Sequence, residues 1–474
     1  MKQKLFKIFL TLIVAFGLTG QGCTRGVSQE VQKASKPAVL NWWSPFLTTE
    51  SVRPLIDAYR VAHPNVTINF RRIRIEDYEK ELVNALAEDR GPDILSLHNT
   101  WVSVWRSKLS PMPAAVKLPY QEVKNTLGLK KEIVTTLRTT KTLGLKGLTA
   151  NFVDAVAGDV LSEPADPGGA SEIYALPLSL DTMAMYYNKD LLNLAGIPTP
   201  PRTWTELQGI VKRLTKVDQE GKIVQAGAAL GGSRNVERSA DILALLMMQN
   251  GAVMIDTDRG QAAFDRLPST LRGRALAPGE EAVVFYTDFS NPAKEVYTWS
   301  DALPNSLQAF AAGKTAIFFG YSYQMPTIKN LAPKLNFEVA PMPQIEGNPE
   351  VNFANYWVEG VSRKSIHRDF AWDFVQFATV GRTGPNQASY LVEQYLALAK
   401  KPTALRALVV KQSDDLEIGV FASQALTAKS WYRGKNSSAA ESAFLDMIDQ
   451  VRGGTVDPDD ALRLAAQKVN QTLR

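Results

Sequence analysis

The chain has 474 residues, 45% hydrophobic and 21% charged, with a formal net charge of +5. That length exceeds what one hydrophobic core organises, so two lobes are expected. Lys2, Lys4 and Lys7 supply three of the positive charges in a segment read below as removed, which leaves +2; with no block of like charges, a nucleic-acid partner is excluded on composition.

The first element is the apolar run "IFLTLIVAFGL", Ile8 to Leu18, behind a lysine-bearing start. Eleven residues are too few to span a bilayer as a helix, so the run reads as an export signal. Cys23, the only cysteine, follows directly, and no disulfide can form within the chain. The arrangement resembles a bacterial lipoprotein signal, although Gly20 stands where that pattern has leucine. The resemblance implies that residues 1–22 are removed and Cys23 is lipidated. The protein would then sit on the outer face of the cytoplasmic membrane, the periplasmic side where an outer membrane exists. The other reading is a plain secretory signal followed by an incidental cysteine. Residues 23–36 are polar and unpatterned, as a tether is.

Past the tether, "VLNWW" at Val39 to Trp43 has a buried-strand pattern, and the next stretch turns helical beyond Pro54 until Pro64 and Asn65 stop it. "VTINFRRI" is a strand, "EDYEKELVNALAED" a helix broken by Gly91 and Pro92, and "DILSL" a third strand. Such alternation predicts a doubly wound unit whose parallel strands present ligands with their carboxyl ends. Ser44 lies at the first such end, and His98, Asn99, Thr100 and Trp101 at the third. Residues 108–170 read as mixed helix and loop. "YALPLSLDTMAMYY", Tyr174 to Tyr187, is extended; Asn188 caps "KDLLNLAG", and Thr203 to Glu206 form a capping box that opens another helix. "SLQAFAAGKTAIFFG" predicts helix, Gly313 stop and strand. "FEVAPMP" is extended, and "NYWVEGVSRKSIHRDFAWDFVQFATV" a strand followed by an amphipathic helix. The extended segments near Asp181 and Val339 are candidate crossings between lobes.

The run "YNKDLLNLAGIPTPPRTWTEL", with "PDI" at Pro92, "AFAAGKTAIFFG" at Ala309, "APMP" at Ala340 and "KSIHRDFAWDFVQFA" at Lys364, resembles the bacterial extracellular solute-binding proteins of family 1. These are the sugar-type receptors of ABC importers, maltodextrin-binding proteins among them. The resemblance implies an α/β, two-lobe periplasmic-binding-protein-like fold with interleaved lobes joined by hinge strands. Residues 37–180 and 345–385 would form lobe 1, and 181–344 and 386–474 lobe 2. The implied monomer captures a saccharide or polyol in the cleft and delivers it to permease subunits, without a cofactor.

A saccharide needs aromatic faces for its rings and carboxylate, amide or guanidinium partners for its hydroxyls. Asp181, a carboxylate in an apolar hinge segment, corresponds to an acidic sugar ligand of the maltodextrin-binding members. Trp431 and Tyr432, with Arg433 beside them, resemble the family's C-terminal aromatic pair. Tyr321 and Tyr323 follow "AIFFG", where an aromatic platform often lies. Trp42 and Trp43 alternate across a strand, so one is core and the other, taken as Trp43, a cleft candidate. Trp357, near Asn355 and Glu359, is either cleft or core. His98 is a cleft-loop histidine, either a ligand contact or a local hydrogen-bonding group. Trp204 and Trp372 read as packing residues, and Trp299 as a weak candidate. The three histidines are scattered, and HExxH, CxxC, GxSxG and Walker patterns are missing, so no catalytic or metal-ligating residue is assigned. The rival class is a membrane-tethered carbohydrate-active enzyme, whose paired carboxylates could lie among 48 acidic residues.

Overall fold

The computed structural model describes residues 28–126, 130–162, 171–381 and 388–473. The signal segment and Cys23 lie outside the described residues. Part of the segment read as tether is ordered: Gln29–Ala34 is a helix capped by Ser28, and Glu30 pairs with Lys117 on the body of the protein.

The first sheet runs in the order Val66–Arg72, Ala38–Ser44, Ile94–His98, Trp357–Val361, Ala175–Leu176. Its first three strands are parallel, linked by the helices Thr49–Ala62 and Ile75–Ala87, as the alternating pattern predicts. The last two strands return antiparallel. The first helix starts before Pro54, at Thr49, because Thr48 and Ser51 make a reciprocal capping box strong enough to set the start upstream of the proline. Trp42 packs edge-on to Phe70 and Phe374, and the helix Arg368–Thr379 buries Phe370, Trp372 and Phe374 against this core.

Residues 108–170 hold more β-structure than expected. Ala115–Thr126 pairs antiparallel with Lys130–Lys141 in an unbroken register from Ala115↔Lys141 to Thr126↔Lys130. The threonine and β-branched content of "EIVTTLRTT" favours strand, and alternate residues Val116, Leu118 and Tyr120 are buried.

The second sheet runs Lys216–Val217, Ile223–Ala228, Thr315–Gly320, Ala184–Asn188, Phe337–Ala340. Its hydrophobic centre is the helix Ser239–Gln249, whose eleven residues are all buried. Trp204 donates to Gln249 at 2.6 Å inside this core, and Trp299 is buried beside Asn235.

Between the two cores lies a three-stranded sheet in the order Ala428–Lys429, Asn352–Asn355, Asp181–Thr182. The protein is therefore two α/β lobes with an interleaved chain. The expected crossing near Asp181 falls on this sheet, but the one near Val339 does not. Phe337–Ala340 pairs along its length with Ala184–Asn188 inside the second sheet, and the return crossing is Asn352–Asn355. Most of residues 388–426 belong with the first core, although Phe421 packs against Ala184, Tyr186 and Phe318 of the second sheet. Val392, Tyr395, Leu396, Leu405 and Leu408 sit in the first core, where the helix Ala388–Ala399 lies against Thr49–Ala62. The chain reaches the second core for the last time only past Ala428–Lys429.

Candidate functional site

Two adjoining cavities open between the cores and share His98, Arg238, Asn355 and Trp357. The first, about 240 Å³, is lined by Asn99 and Trp101 from one side and Asp241, Trp431, Tyr432 and Glu441 from the other. The second, about 370 Å³, is lined by Ser44, Phe46, Ile75, Tyr395 and Lys401 from the first core and by Tyr323 from the second, with Asp181 at the hinge.

Strand pairing places the floor. His98 and Trp357 are register partners at the ends of Ile94–His98 and Trp357–Val361, so the carboxyl end of the third parallel strand does face the cleft. His98 Nδ1 accepts from Thr100 Oγ1 at 2.8 Å, so Nε2 carries the proton and donates to Asn355 Oδ1 at 3.1 Å. Enclosure by the protein holds its pKa below the ordinary histidine value, and the ring is a fixed, neutral wall. Trp357 is the centre of an aromatic cluster: Phe46, Trp101 and His98 meet it edge-on with centroids 5.1, 5.4 and 5.7 Å away. An edge-on cluster leaves ring faces for a ligand.

Asp181 lies at the hinge. Its Oδ1 accepts from Thr182 N at 3.0 Å and Ser322 N at 3.2 Å, and its Oδ2 from Ser322 Oγ at 2.6 Å. Burial, against the pull of Lys401 and these hydrogen bonds, raises its pKa. Arg238 stands on the shared rim, with its backbone at φ 56°, and Asp241 holds its guanidinium bidentately at 2.8 and 2.9 Å. Tyr321 is fully buried behind this pair and donates to Asp241 at 2.6 Å.

Eight of the expected residues thus line the cavities: Ser44, His98, Asn99, Asp181, Tyr323, Trp357, Trp431 and Tyr432. Three do not. Trp43 lies beneath the Arg71 guanidinium, 4.9 Å from its ring centre, while Trp42 is core; neither lines the two cavities. Tyr321 supports Tyr323, on which it stacks at 5.7 Å, and leaves the cavity surface to it. Arg433 is drawn away by Asp159, whose carboxylate it meets at 3.1 Å. The cleft residues Arg238, Asp241, Lys401, Phe46 and Glu441 were not anticipated. Arg238, Asp241 and Glu441 lie on helical segments or their caps, with no strand-end signal. Among the described residues no group of three or more His, Cys, Asp or Glu could hold a metal ion.

The model of the bacterial extracellular solute-binding protein family matches residues 47–380. The chain belongs to this family. Over 207 residues it is 26% identical to a protein of Brucella abortus (strain 2308) named as a binding protein, a stretch that is 43% of this chain and 46% of that protein. The chain therefore spans about half the length of the curated relatives it matches. Among solved structures, the cyclic α-maltosyl-1,6-maltose binding protein of Arthrobacter globiformis superposes with a TM-score of 0.69 at 18% identity, over 92% of this chain and 99% of that one. The sugar-binding protein MalE of Xanthomonas citri gives 0.67 at 17%, over 92% and 97%. The GacH receptor of Streptomyces glaucescens, solved unliganded and with acarbose, gives 0.64 at 17%, over 92% and 98%. At such identities the likeness is one of fold, and it is the two-lobe architecture of this solute-binding family.

Proposed function

We propose that the protein is the extracytoplasmic capture component of an ABC importer, which closes on a saccharide or related polyol and hands it to permease subunits. The observation that carries this reading is the pairing of an aromatic cluster, Trp357 with Phe46 and Trp101, with polar groups that converge from both lobes on adjoining cavities. Ring faces take the apolar face of a sugar, and Asn355, Asp181 and Asn99 offer planar acceptors and donors to its hydroxyls. Support also comes from the family and from the sugar ligands of the structural neighbours. In this reading the closing bodies are residues 37–180 with 354–427, and 183–351 with 430–473, acting as a monomer.

Isothermal titration of the protein lacking residues 1–23 against maltose, maltotriose, mannobiose, tagatose and simple polyols tests it. Micromolar binding without turnover is expected, equivalent to roughly −8 kcal/mol. Release of product from a bound glycoside would instead establish the tethered carbohydrate-active enzyme. That rival lacks a free acid pair in the first cavity, because Arg238 engages both Asp241 and Glu441.

The reading includes a lipid anchor at Cys23. Cys23→Ser is expected to leave a folded protein that no longer fractionates with membranes, since acyl chains supply the stable attachment and no described helix is long and apolar enough to cross a bilayer. A serine variant retained by salt-washed membranes would overturn the anchor.

A further inference from the structure

Lys400 and Lys401 are adjacent but point to different surroundings. Lys400 adopts the left-handed conformation, φ 49°, and its ammonium meets Glu417 at 2.9 Å on the surface. Lys401 turns inward into the larger cavity. Its backbone is held on both sides: its N–H donates to Leu396 O at 3.1 Å, and its carbonyl accepts from Gln412 Nε2 at 2.8 Å. The ammonium lies 5.7 Å from the centre of the Tyr323 ring. Among the described residues it makes no direct ion pair, and the opposite charge acting on it is Asp181, which borders the same cavity.

The ionisable groups nearest to it are held by hydrogen bonds within the protein. Asp181 gives both oxygens to Ser322 and Thr182, and Asp241 neutralises Arg238 through two parallel hydrogen bonds. His98 is neutral, with both ring nitrogens engaged. An enclosed ammonium with no direct ion pair is costly, and a ligand that brings an acid to it gains a charge-assisted hydrogen bond in a partly desolvated site.

We propose that the natural ligand is an acidic saccharide, and that Lys401 receives its anionic substituent in the larger cavity while Trp357 and Phe46 face its ring. This rests on the capture reading above and narrows it to a ligand class. Asp181 then serves as a second determinant: as a fixed carboxylate on the same cavity it accepts from a sugar hydroxyl and repels an acid placed at the wrong end. Orientation follows, with the acid toward Lys401 and the neutral part of the ligand toward Trp431 and Glu441 in the smaller cavity.

The test uses the protein lacking residues 1–23 and matched probes: glucuronate, galacturonate, mannuronate and glucose 6-phosphate, each beside its neutral hexose, as free sugars and as disaccharides. In titrations at low salt, at least one acidic probe is expected to bind about ten-fold or more tighter than its neutral partner, with the advantage reduced at high salt. The uronate and phosphate arms separate a carboxylate from a phosphate ligand. Lys401→Met should abolish the discrimination and Lys401→Arg should retain most of it. Lys401 makes no direct ion pair, so its removal loses only the longer-range attraction to Asp181; ligand-free melting should change little, and loss of binding would not reflect unfolding. The inference falls if neutral probes bind as tightly as acidic ones, or if Lys401→Met weakens both equally, for then Lys401 is a donor to neutral hydroxyls and only the capture reading survives. Failure of every probe, acidic and neutral, overturns both.

Discussion

Trp357 and Glu359 project from the same face of one strand, two residues apart, into opposite environments. Trp357 borders both cavities, whereas Glu359 is buried, accepting from Trp42 Nε1 at 2.7 Å and Ser96 Oγ at 2.8 Å. Trp357→Ala should weaken saccharide binding by about 1–3 kcal/mol while costing the ligand-free protein less than Trp42→Ala, for which a core truncation predicts about 3–5 kcal/mol. Equal losses of melting temperature would return Trp357 to the core. For Glu359, burial pushes the carboxyl up to about 7 from 4.5, against the hydrogen bonds from Ser96 and Trp42. A raised acid keeps its proton in the folded state where the unfolded chain has lost it. Its contribution to stability is thus full below pH ~4.5 and lost as pH rises to ~7, at most roughly 3 kcal/mol. Glu359→Gln keeps an acceptor for Trp42 without the charge, so its melting temperature should fall less between pH 5 and 8 than that of the native protein. Parallel curves would remove the charge from the explanation. Sequence could single out Asp181 because a carboxylate in an apolar run is conspicuous. It could not single out Lys401, because what makes that lysine unusual is the spacing to groups far away in the chain.

At the scale of elements, the most legible part was the stretch with the densest local chemistry. Thr203 Oγ1 accepts from Glu206 N at 3.1 Å and Glu206 reaches back to Thr203 N at 3.3 Å, the reciprocal cap read from "TWTE". Asn188 likewise accepts from Leu191 N at 3.1 Å. Thr203→Ala should therefore cost about 1 kcal/mol, seen as a small fall in the urea midpoint with an unchanged slope. No change would mean that Trp204, buried against the second core, fixes the helix start by itself. Elements defined by long-range partners were less legible. Phe337–Ala340 looked like a crossing because extended backbone has the same pattern whether it joins lobes or adds an edge strand; pairing with Ala184–Asn188 decided it. Pro119 and interspersed lysines weaken the strand pattern of the paired segments Ala115–Thr126 and Lys130–Lys141, although alternate side chains of the first are buried.

For the whole molecule, two hydrophobic cores meet through three short strands, and a buried carboxylate reinforces the joint. Asp159, on the first-core helix Asp154–Val160, accepts from Asn99 Nδ2 at 3.0 Å, Tyr356 OH at 2.7 Å, Ser430 Oγ at 2.6 Å and Arg433 Nε at 3.1 Å. Ser430 and Arg433 follow the last crossing, so the cluster ties the lobes beside their pivot. A group at the pivot keeps its partners as the lobes bend, whereas a latch gains partners only on closure. The two roles differ in their linkage to ligand. Asp159→Ala leaves Arg433 and several buried donors unmatched and should lower ligand-free stability by about 3 kcal/mol or more. Ligand at 100 times its dissociation constant adds about 2.7 kcal/mol to any protein that binds it unchanged. If Asp159 acts at the pivot, the variant should gain the same increment as the native protein at matched saturation, with its dissociation constant shifted little. A dissociation constant raised about ten-fold or more would make Asp159 part of the latch, so that the energy of closure passes through this carboxylate and not only through the ligand. Melting curves at several ligand concentrations, with direct titration of both proteins, distinguish the two.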